Sequence, residues 1–389
     1  MSLKISQGVE RIVQSEIRSM FIECERVGGI NLAQGVCDTE VPLPVRMGAQ
    51  KAIDAGINIY TRFDGLVELR NAIAQKMQKY NGITADPESD IIVSSGSTGA
   101  FYCACLALLN PGDEVILFEP YYGYHVNTLL AVGAIPTYVR LNQPDWNFSP
   151  EDLEKVITLR TKGIMVNTPA NPSGKVFSRK ELQWIAEFAS SHDLFVFTDE
   201  IYEYFVYDGN KHISPGSLPG MAERTITISG FSKTFSITGW RVGYSVSDKK
   251  WSQTIGHIND LVYVCAPAPL QMGVANGLLE LGPGYYRDLC TQYEKKRDKI
   301  CNALMEAKLT PCIPQGSYYV LADVSFLPGK TSKEKAMYLL SKTGIATVPD
   351  EAFYHAPEKP NFVRFCFAKK EEELDEACKR LERLTFKYN

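Results

Sequence analysis

The chain has 389 residues, of which 45% are hydrophobic and 22% are charged, so its composition is that of a globular protein with a large core. A net charge of −4 and a pI of about 5.9 give no electrostatic reason to expect nucleic acid or an anionic membrane as a partner. No run of about 18 apolar residues is present, so we expect no membrane-spanning segment. The start of the chain alternates charged and apolar residues without a signal-peptide core, which favours a cytoplasmic protein.

The cysteines and histidines give no sign of disulfides or of a metal site. The ten cysteines are scattered, and none forms a Cys-x-x-Cys pair. Several lie inside apolar runs, where a free thiol packs as a small hydrophobic group, so we expect reduced thiols and a cytosolic compartment. The five histidines lack the spacing of metal ligands, and we predict no metal.

Short apolar runs dominate the middle of the chain. Residues 1–44 are predicted to contain one helix and then the extended segment "INLAQGVCDTEVPLP". From about residue 91, continuous Val/Ile/Leu/Phe runs alternate with amphipathic segments, as is typical of strands covered on both faces by helices. About seven strands are predicted, namely "DIIVSSG", "EVILFEP", "IPTYVRL", "GIMVNTP", "LFVFTDE", "TITISGF" and "RVGYSV".

The segments between these runs predict helices. One of them, "SRKELQWIAEFASSH", begins with a capping box in which Ser178 is the N-cap and Glu181 follows three residues later. Beyond about residue 283, long charged helices surround short strands, which is an α+β pattern. We therefore predict an α/β fold with a mostly parallel seven-stranded sheet in a large domain, residues 45–282, and a small α+β domain from residues 1–44 and 283–389.

Ligands of open α/β sheets bind beyond the carboxyl ends of the strands, so the residues that follow each strand are the candidates for a site. The first turn, "SSGSTGAF", opens a helix whose free N–H groups favour an anion, together with the hydroxyls of Ser97 and Thr98. An ordinary capped turn is the alternative, since no nucleotide motif is present. After the next strand, Tyr121, Tyr122 and Tyr124 either stack on a planar ligand or pack in the core.

The remaining strand ends carry polar and charged residues. Asn171 follows "GIMVN" in a turn, and an ordinary turn explains it equally well. Asp199 ends an apolar strand, where it needs a partner; Tyr202 lies nearby, and a structural salt bridge is the alternative. Lys233 follows "TITISG" and can form a Schiff base once burial or a neighbouring cation lowers its pKa. Arg241, eight residues later, suits a dianionic phosphate.

Pyridoxal phosphate needs this combination of residues at one edge of a sheet. The helix start in "SSGSTGAF", with Ser97 and Thr98, would form an anion cup that holds its phosphate together with Arg241. Tyr122 would stack on its ring. Asp199 would keep the ring nitrogen protonated. Asn171 and Tyr202 would hydrogen-bond the phenolic oxygen, and the lysine would carry the aldimine. The sequence therefore predicts a cofactor site.

Three motifs in this region, "NPSG", "TDEIY" and "SKTFSITGWRVGY", closely resemble those of the class I/II aminotransferases, which are fold-type I pyridoxal phosphate enzymes. The similarity covers nearly the whole chain. "INLAQGVCD" looks like the family's substrate-closing segment, "IYTRFDGLVELR" like its Tyr-x-x-x-x-Gly-x-x-x-Leu-Arg element, and "NFVRFCFA" like its carboxylate-binding strand. The chain looks nearest to the kynurenine, methionine and prokaryotic-type aspartate aminotransferases.

The resemblance implies roles for residues outside the strand ends. Arg364 would bind the substrate α-carboxylate through its planar guanidinium, with Asn171 beside it, and Gly35 would approach the same carboxylate through its backbone. Tyr60 would reach the phosphate of the neighbouring subunit, so the active unit would be a homodimer with shared sites.

One position departs from the family pattern. Many relatives have a phosphate-binding serine three residues before the lysine, and here that position is Gly230. A neighbouring serine is the candidate replacement, either Ser229 or Ser232.

The predicted reaction is the transfer of an amino group between an L-amino acid and a 2-oxo acid via a Lys233 aldimine, with the freed lysine moving the Cα proton. A pyridoxal phosphate β-lyase acting on cysteine-type substrates would use the same residues. A non-enzymatic regulator would need a DNA-binding domain, for which no basic patch is present. We identify no second arginine for a dicarboxylate, and the tyrosines favour apolar or aromatic amino acids.

Overall fold

The strands of the chain form three sheets, the largest of which has seven strands. The computed structural model describes residues 3–6, 10–12, 15–37, 39–356, 361–382 and 384, and all structural statements refer to them. Asp38, the last residue of "INLAQGVCD", lies outside this set. The strands are β1 Ile30–Asn31, β2 Ile91–Ser95, β3 Glu114–Glu119, β4 Ile135–Arg140, β5 Thr161–Asn167, β6 Phe195–Asp199, β7 Thr225–Gly230, β8 Val242–Val246, β9 Thr310–Cys312, β10 Tyr319–Asp323, β11 Ile345–Ala346, β12 Val348–Pro349 and β13 Phe362–Cys366.

Helices cover this sheet and surround the smaller ones. Within the described residues no helix is both long enough and apolar enough to span a lipid bilayer. The helices are α1 Glu16–Val27, α2 Leu43–Asp54, α3 Val67–Lys76 with a π-helical turn Met77–Asn81, α4 Gly96–Leu108, α5 Gly123–Ala131, α6 Pro150–Glu154, α7 Arg179–Ser191, α8 Lys249–Tyr263, α9 Ala268–Glu280, α10 Pro283–Glu306, α11 Ser332–Thr343 and α12 Glu371–Leu381.

The seven-stranded sheet confirms the predicted α/β architecture. Its strand order is β2-β8-β7-β6-β5-β3-β4, and β8 runs antiparallel to both of its neighbours while the other pairs are parallel. Every residue of β3 and β7 is buried, as expected for strands with a helix layer on each face. Because β8 is reversed, it begins at the edge where β2, β3, β5, β6 and β7 end.

Two smaller sheets bring the ends of the chain together. Strands β12, β13, β10 and β9 form an antiparallel sheet, in which Arg364 of β13 pairs with Leu321 of β10. Strand β1 pairs in parallel with β11, although more than 300 residues separate them in the sequence. This pairing fixes the segment that follows β1 next to the C-terminal part of the chain.

Helix α7 begins with the capping box that the sequence predicted. The Ser178 hydroxyl accepts from the backbone N–H of Glu181, and the Glu181 carboxylate accepts from the backbone N–H of Ser178 at 2.8 Å. The other carboxylate oxygen of Glu181 pairs with the buried Lys175 ammonium at 2.6 Å. The cap therefore satisfies two backbone donors that would otherwise lack partners at the helix start.

Loss of this cap should lower the stability of the protein. We expect Ser178→Ala to reduce the free energy of unfolding by about 1 kcal/mol, because a backbone N–H at the helix start loses its acceptor. The matched control is Ser191→Ala in the last turn of the same helix, where the hydroxyl only donates to the Phe188 carbonyl. Urea unfolding followed by circular dichroism measures both; equal shifts for the two variants would contradict the capping role.

Candidate active site

The predicted strand-end residues lie at one edge of the large sheet. Ser97 opens α4 directly after β2, and Tyr122 comes three residues after β3. Asn171 follows β5, Asp199 is the last residue of β6, and Lys233 follows β7. The parallel strands end at this edge, so residues far apart in the sequence become neighbours there.

Lys233 lies at this edge with its amine held by a backbone carbonyl. Its Nζ donates to the carbonyl oxygen of Gly35 at 2.9 Å and lies 5.7 Å from the centre of the Tyr318 ring. Burial lowers the pKa of Lys233 below its usual value, and the nearby Arg241 charge adds to this lowering. No carboxylate within the described residues forms an ion pair with this amine. Lys233 is thus an amine that loses its proton more readily than a surface lysine.

Gly35 comes into contact with the sheet edge through its backbone. Its carbonyl oxygen also accepts a hydrogen bond from the Tyr318 hydroxyl at 3.1 Å. A Cβ atom at this position would overlap the Tyr319 hydroxyl, so a larger residue would displace that ring. Glycine is therefore required where this N-terminal segment crosses the site.

The Asp199 carboxylate is buried beside a histidine that the sequence analysis missed. His125 Nε2 lies 2.9 Å from Asp199 Oδ2, and the backbone N–H of Ile201 donates to the other oxygen at 3.2 Å. The imidazole packs edge-on against Phe101 and Tyr122, each with ring centres 5.3 Å away. His125 therefore fixes the carboxylate. Its position three residues after Tyr122, in the first turn of α5, was the available signal.

Arg364 is completely buried and has no carboxylate partner within the described residues. One guanidinium nitrogen donates to the Asn171 side-chain oxygen at 2.8 Å, and another donates to the Ala33 carbonyl at 2.5 Å. Its Nε is buried without a hydrogen-bond partner. The guanidinium packs over the rings of Tyr319 and Phe353, 4.2 and 5.0 Å from their centres. A buried cation held only by neutral groups is suited to receive an anion.

Tyr202 links this arginine to the rest of the site. Its hydroxyl lies 3.1 Å from the Tyr319 hydroxyl. Burial, together with the neighbouring Tyr319, raises the pKa of Tyr202 well above its ordinary value. Tyr202 therefore remains a protonated hydrogen-bond donor at neutral pH. The contribution of Tyr318 and Tyr319 was not predicted, because they reach the site from β10 in another sheet.

Arg241 and the start of α4 form the candidate anion cup. Arg241 has a left-handed backbone, with φ of 56°, and its guanidinium packs so closely on Gly96 that a Cβ there would overlap it. No side chain caps α4, which leaves its first N–H groups available to a ligand beside Ser97 and Thr98.

The two serines near Gly230 differ in their surroundings. The buried Ser229 hydroxyl donates to Glu203 at 3.0 Å and to the Glu200 carbonyl at 3.3 Å, so its donor is already engaged within the chain. Ser232 is also buried, and its hydroxyl makes no hydrogen bond with the described residues. Of the two candidates, Ser232 is the one whose hydroxyl is free.

Tyr60 does not join the site within its own chain. Its side chain is 79% exposed and follows Ile59, which is exposed to the same extent. The hydroxyl makes no hydrogen bond with any described residue of the same chain. Tyr60 is thus the one predicted site residue that the fold of a single chain leaves apart from the others.

A cavity of about 830 Å³ opens beside Tyr122. Among the described residues of its lining, Arg11 is the only Lys or Arg, and two carboxylates, Glu16 and Glu351, accompany it. One oxygen of Glu16 is buried without a partner. Six of the nineteen described lining residues are aromatic, namely Tyr121, Tyr122, Tyr124, Tyr138, Phe353 and His355.

Comparisons with known proteins agree on the family of this chain. The family model for "Aminotransferase class I and II" matches residues 27–381. A kynurenine–oxoglutarate transaminase from Dictyostelium discoideum is 35% identical over 92% of this chain and 91% of its own length. An aromatic-amino-acid aminotransferase from Thermococcus litoralis is 33% identical over 98% of both chains.

A solved structure extends this agreement to three dimensions. A protein from Escherichia coli with a methionine aminotransferase function superposes with a TM-score of 0.94 at 31% identity, covering 98% of this chain and 100% of the other. The relatives named here are all aminotransferases, and none of these comparisons supports a β-lyase. The chain belongs to the class I and II aminotransferase family and is a pyridoxal phosphate-dependent aminotransferase of fold type I.

Proposed function

We propose that the enzyme transfers the amino group of apolar and aromatic L-amino acids to a 2-oxo acid. The supporting observation is the aromatic cavity beside Tyr122, whose lining has more carboxylates than cations. An aromatic side chain gains contact area against these rings. A second substrate carboxylate would instead meet Glu351 and the unpartnered oxygen of Glu16, whose other oxygen pairs with Lys333 at 2.9 Å. Relatives named for kynurenine, aromatic amino acids and methionine agree with this substrate class, whereas one named for aspartate, 35% identical, does not.

The residues at the sheet edge fit pyridoxal phosphate. The uncapped start of α4, with Gly96 against Arg241, would hold the phosphate. The buried Asp199 carboxylate, fixed by His125, would bind the protonated ring nitrogen, and Tyr122 would lie against the ring. Because Tyr202 stays protonated, its hydroxyl would donate to the phenolic oxygen of the cofactor, with the help of Asn171.

Lys233 would hold the cofactor covalently and then move a proton. The bound cofactor acts as an electron sink that acidifies the Cα–H bond of the attached amino acid. Once the amino acid has replaced Lys233 on the cofactor, the Lys233 amine would be free. The lowered pKa of this amine suits it to accept the Cα proton. Asp199 favours this step because its negative charge stabilises positive charge on the ring nitrogen.

Arg364 would orient the substrate for this proton transfer. Its Nε has no partner, and Asn171 and the Ala33 carbonyl fix the orientation of the planar guanidinium. A substrate α-carboxylate would take up this free donor in a forked contact, with Gly35 next to it. The Cα–H bond would then lie within reach of Lys233, since the Lys233 amine itself donates a hydrogen bond to the Gly35 carbonyl.

The proposed active unit is a cytoplasmic homodimer. Tyr60 is exposed here, and apolar side chains nearby in the sequence or on α8 are exposed as well, among them Leu43 of α2 and Leu261, which is 81% exposed. Exposed apolar side chains of this size are suited to burial in a subunit interface. We also propose a large domain of residues 45–282 and a small one of 1–44 and 283–389, supported by the pairing of β1 with β11.

The substrate class is tested by the first half-reaction, followed by cofactor absorbance for single amino donors. We expect kcat/KM at least tenfold higher for phenylalanine, tyrosine and methionine than for aspartate and glutamate. Tyr138→Ala should lower the value for phenylalanine about fivefold, since the lost aromatic contact contributes ~1 kcal/mol. With alanine as donor, kcat/KM should be the same for Tyr138→Ala and the wild type. The control variant Tyr338→Ala, whose residue is not in the described cavity lining, should keep the wild-type value for phenylalanine. A preference for aspartate would refute the substrate class.

Lys233→Ala should remove covalent attachment and nearly all turnover. The wild-type protein should be yellow, and borohydride should fix the cofactor on Lys233. Because burial lowers the pKa of this lysine, attachment should persist at pH values where surface lysines are protonated. Absorbance and peptide mapping measure both effects. A label on Lys76 or Lys175, which are buried but paired with carboxylates, would overturn the assignment.

The role of Tyr60 across a dimer is tested by mixing two inactive variants, Tyr60→Ala and Lys233→Ala, under conditions that exchange subunits. If Tyr60 completes the partner's site, a heterodimer carries both defects in one site and leaves the other intact. Up to about a quarter of wild-type activity should then return, since half of the dimers are mixed and each has one intact site. No recovery despite subunit exchange, shown by mass spectrometry, would place Tyr60 in its own chain's site or outside the site.

A further inference from the structure

A second cavity, of about 810 Å³, lies apart from the candidate active site. It is formed by the end of α3 with its π-helical turn, the segment that follows β6, and the junction of α9 with α10. None of the predicted active-site residues lines it. The proposed reaction therefore gives this cavity no role.

The lining of this cavity is strongly cationic. Its described residues include four Lys or Arg side chains and no carboxylate. Lys79, Lys211 and Arg287 are exposed, and none of them forms an ion pair within the part of the chain that the structure describes. The fourth, Lys76, is buried and pairs with Glu203 at 2.5 Å. Three unpaired cations around one concave surface attract an anion, because the walls concentrate their field.

Aromatic rings form one wall of the same cavity. The ring centres of Tyr80 and Tyr204 are 4.4 Å apart, and those of Tyr204 and Tyr286 are 4.3 Å apart in a stacked pair. Leu278 and Leu281 add apolar surface from the end of α9. Such a wall favours a flat apolar group over a flexible or strongly hydrated one.

We propose that this cavity is a second binding site, which takes a small planar aromatic anion with a carboxylate or sulfonate group on its ring. The ring would pack against the tyrosines and leucines, and the anionic group would face Lys79, Lys211 and Arg287. The exposed N-terminal segment of a second copy is a poorer occupant. Its described residues 3–6 contain Lys4 and no carboxylate, so they do not complement the charge.

The cavity adjoins a buried polar cluster beneath the active-site strands. His212 lines the cavity, and its Nε2 lies 2.7 Å from the carboxylate of Glu200, the residue after Asp199. Glu203 binds both Lys76 and Ser229 of β7. An occupant would therefore be separated from two site-bearing strands by one layer of hydrogen-bonded side chains.

Donors from the chain itself already bind the carboxylates of this polar cluster. The ligand-type atoms of Glu200, Glu203 and His212 lie within 4.8 Å of one another, a grouping that could hold a metal ion. The Lys76 ammonium and the Asn81 amide, however, donate to these carboxylates. The cluster is thus charge-compensated by the chain, and the open cavity next to it is the place for a ligand.

The proposal is tested with 8-anilinonaphthalene-1-sulfonate, an aromatic sulfonate whose fluorescence rises on binding, titrated into the holoenzyme. We expect Lys79→Glu/Arg287→Glu to weaken binding at least tenfold. The matched control, Lys249→Glu/Lys379→Glu, changes the net charge equally at exposed lysines outside the cavity and should bind like the wild type. Turnover should be unchanged in both double variants, which shows that they fold.

A second probe separates charge from apolar contact. N-phenyl-1-naphthylamine has the same rings without the sulfonate, so its affinity should be the same in the charge-reversed variant and the wild type. The proposal is overturned if the charge-reversed variant binds the sulfonate as tightly as the control does. Displacement of the sulfonate by saturating phenylalanine would also overturn it, because the probe would then occupy the active site.

Discussion

The candidate active site depends on keeping three charged side chains out of bulk water without pairing them with one another. Lys233 is held by the Gly35 carbonyl, Asp199 by His125 and a backbone N–H, and Arg364 by Asn171 and the Ala33 carbonyl. Ion pairs among them would satisfy the charges within the protein and leave nothing for a ligand. Partners other than one another fix each position and leave each of the three groups to act on what binds.

This arrangement needs chain segments that are remote in sequence. The carbonyls of Ala33 and Gly35 follow β1, which pairs with β11 near the C-terminal end, whereas Asp199 and Lys233 belong to the large sheet. Tyr318, directly before β10, and Tyr319, its first residue, bridge the two parts. The Tyr318 hydroxyl donates to the Gly35 carbonyl, and the Tyr319 hydroxyl lies beside that of Tyr202. The candidate site is therefore complete only when the large sheet and the two smaller sheets pack together. A substitution that loosens the small sheets would also disturb the site.

The large sheet and its strand-end residues were predictable from the sequence. Continuous apolar runs identify strands buried on both faces, and the rule that ligands bind at strand ends selects Asp199 and Lys233. The sequence analysis missed His125 because this residue contacts Asp199 from the first turn of α5 and does not follow the end of a strand directly. Tyr319 and Arg364 meet the site through the register of β10 and β13, which no local pattern encodes. The resemblance alone pointed to Arg364.

The single reversed strand has a consequence for how the chain tolerates changes in length. Strand β7 ends at Gly230 and β8 begins at Val242, so the short connection between them carries both Lys233 and Arg241 without crossing to the other end of the sheet. The parallel connections contain helices and loops far from this edge, where extra residues leave the site in place. An insertion between Lys233 and Arg241 has no such freedom. It changes the separation between the lysine and the arginine themselves, so this connection is the part of the chain whose length is least free to vary.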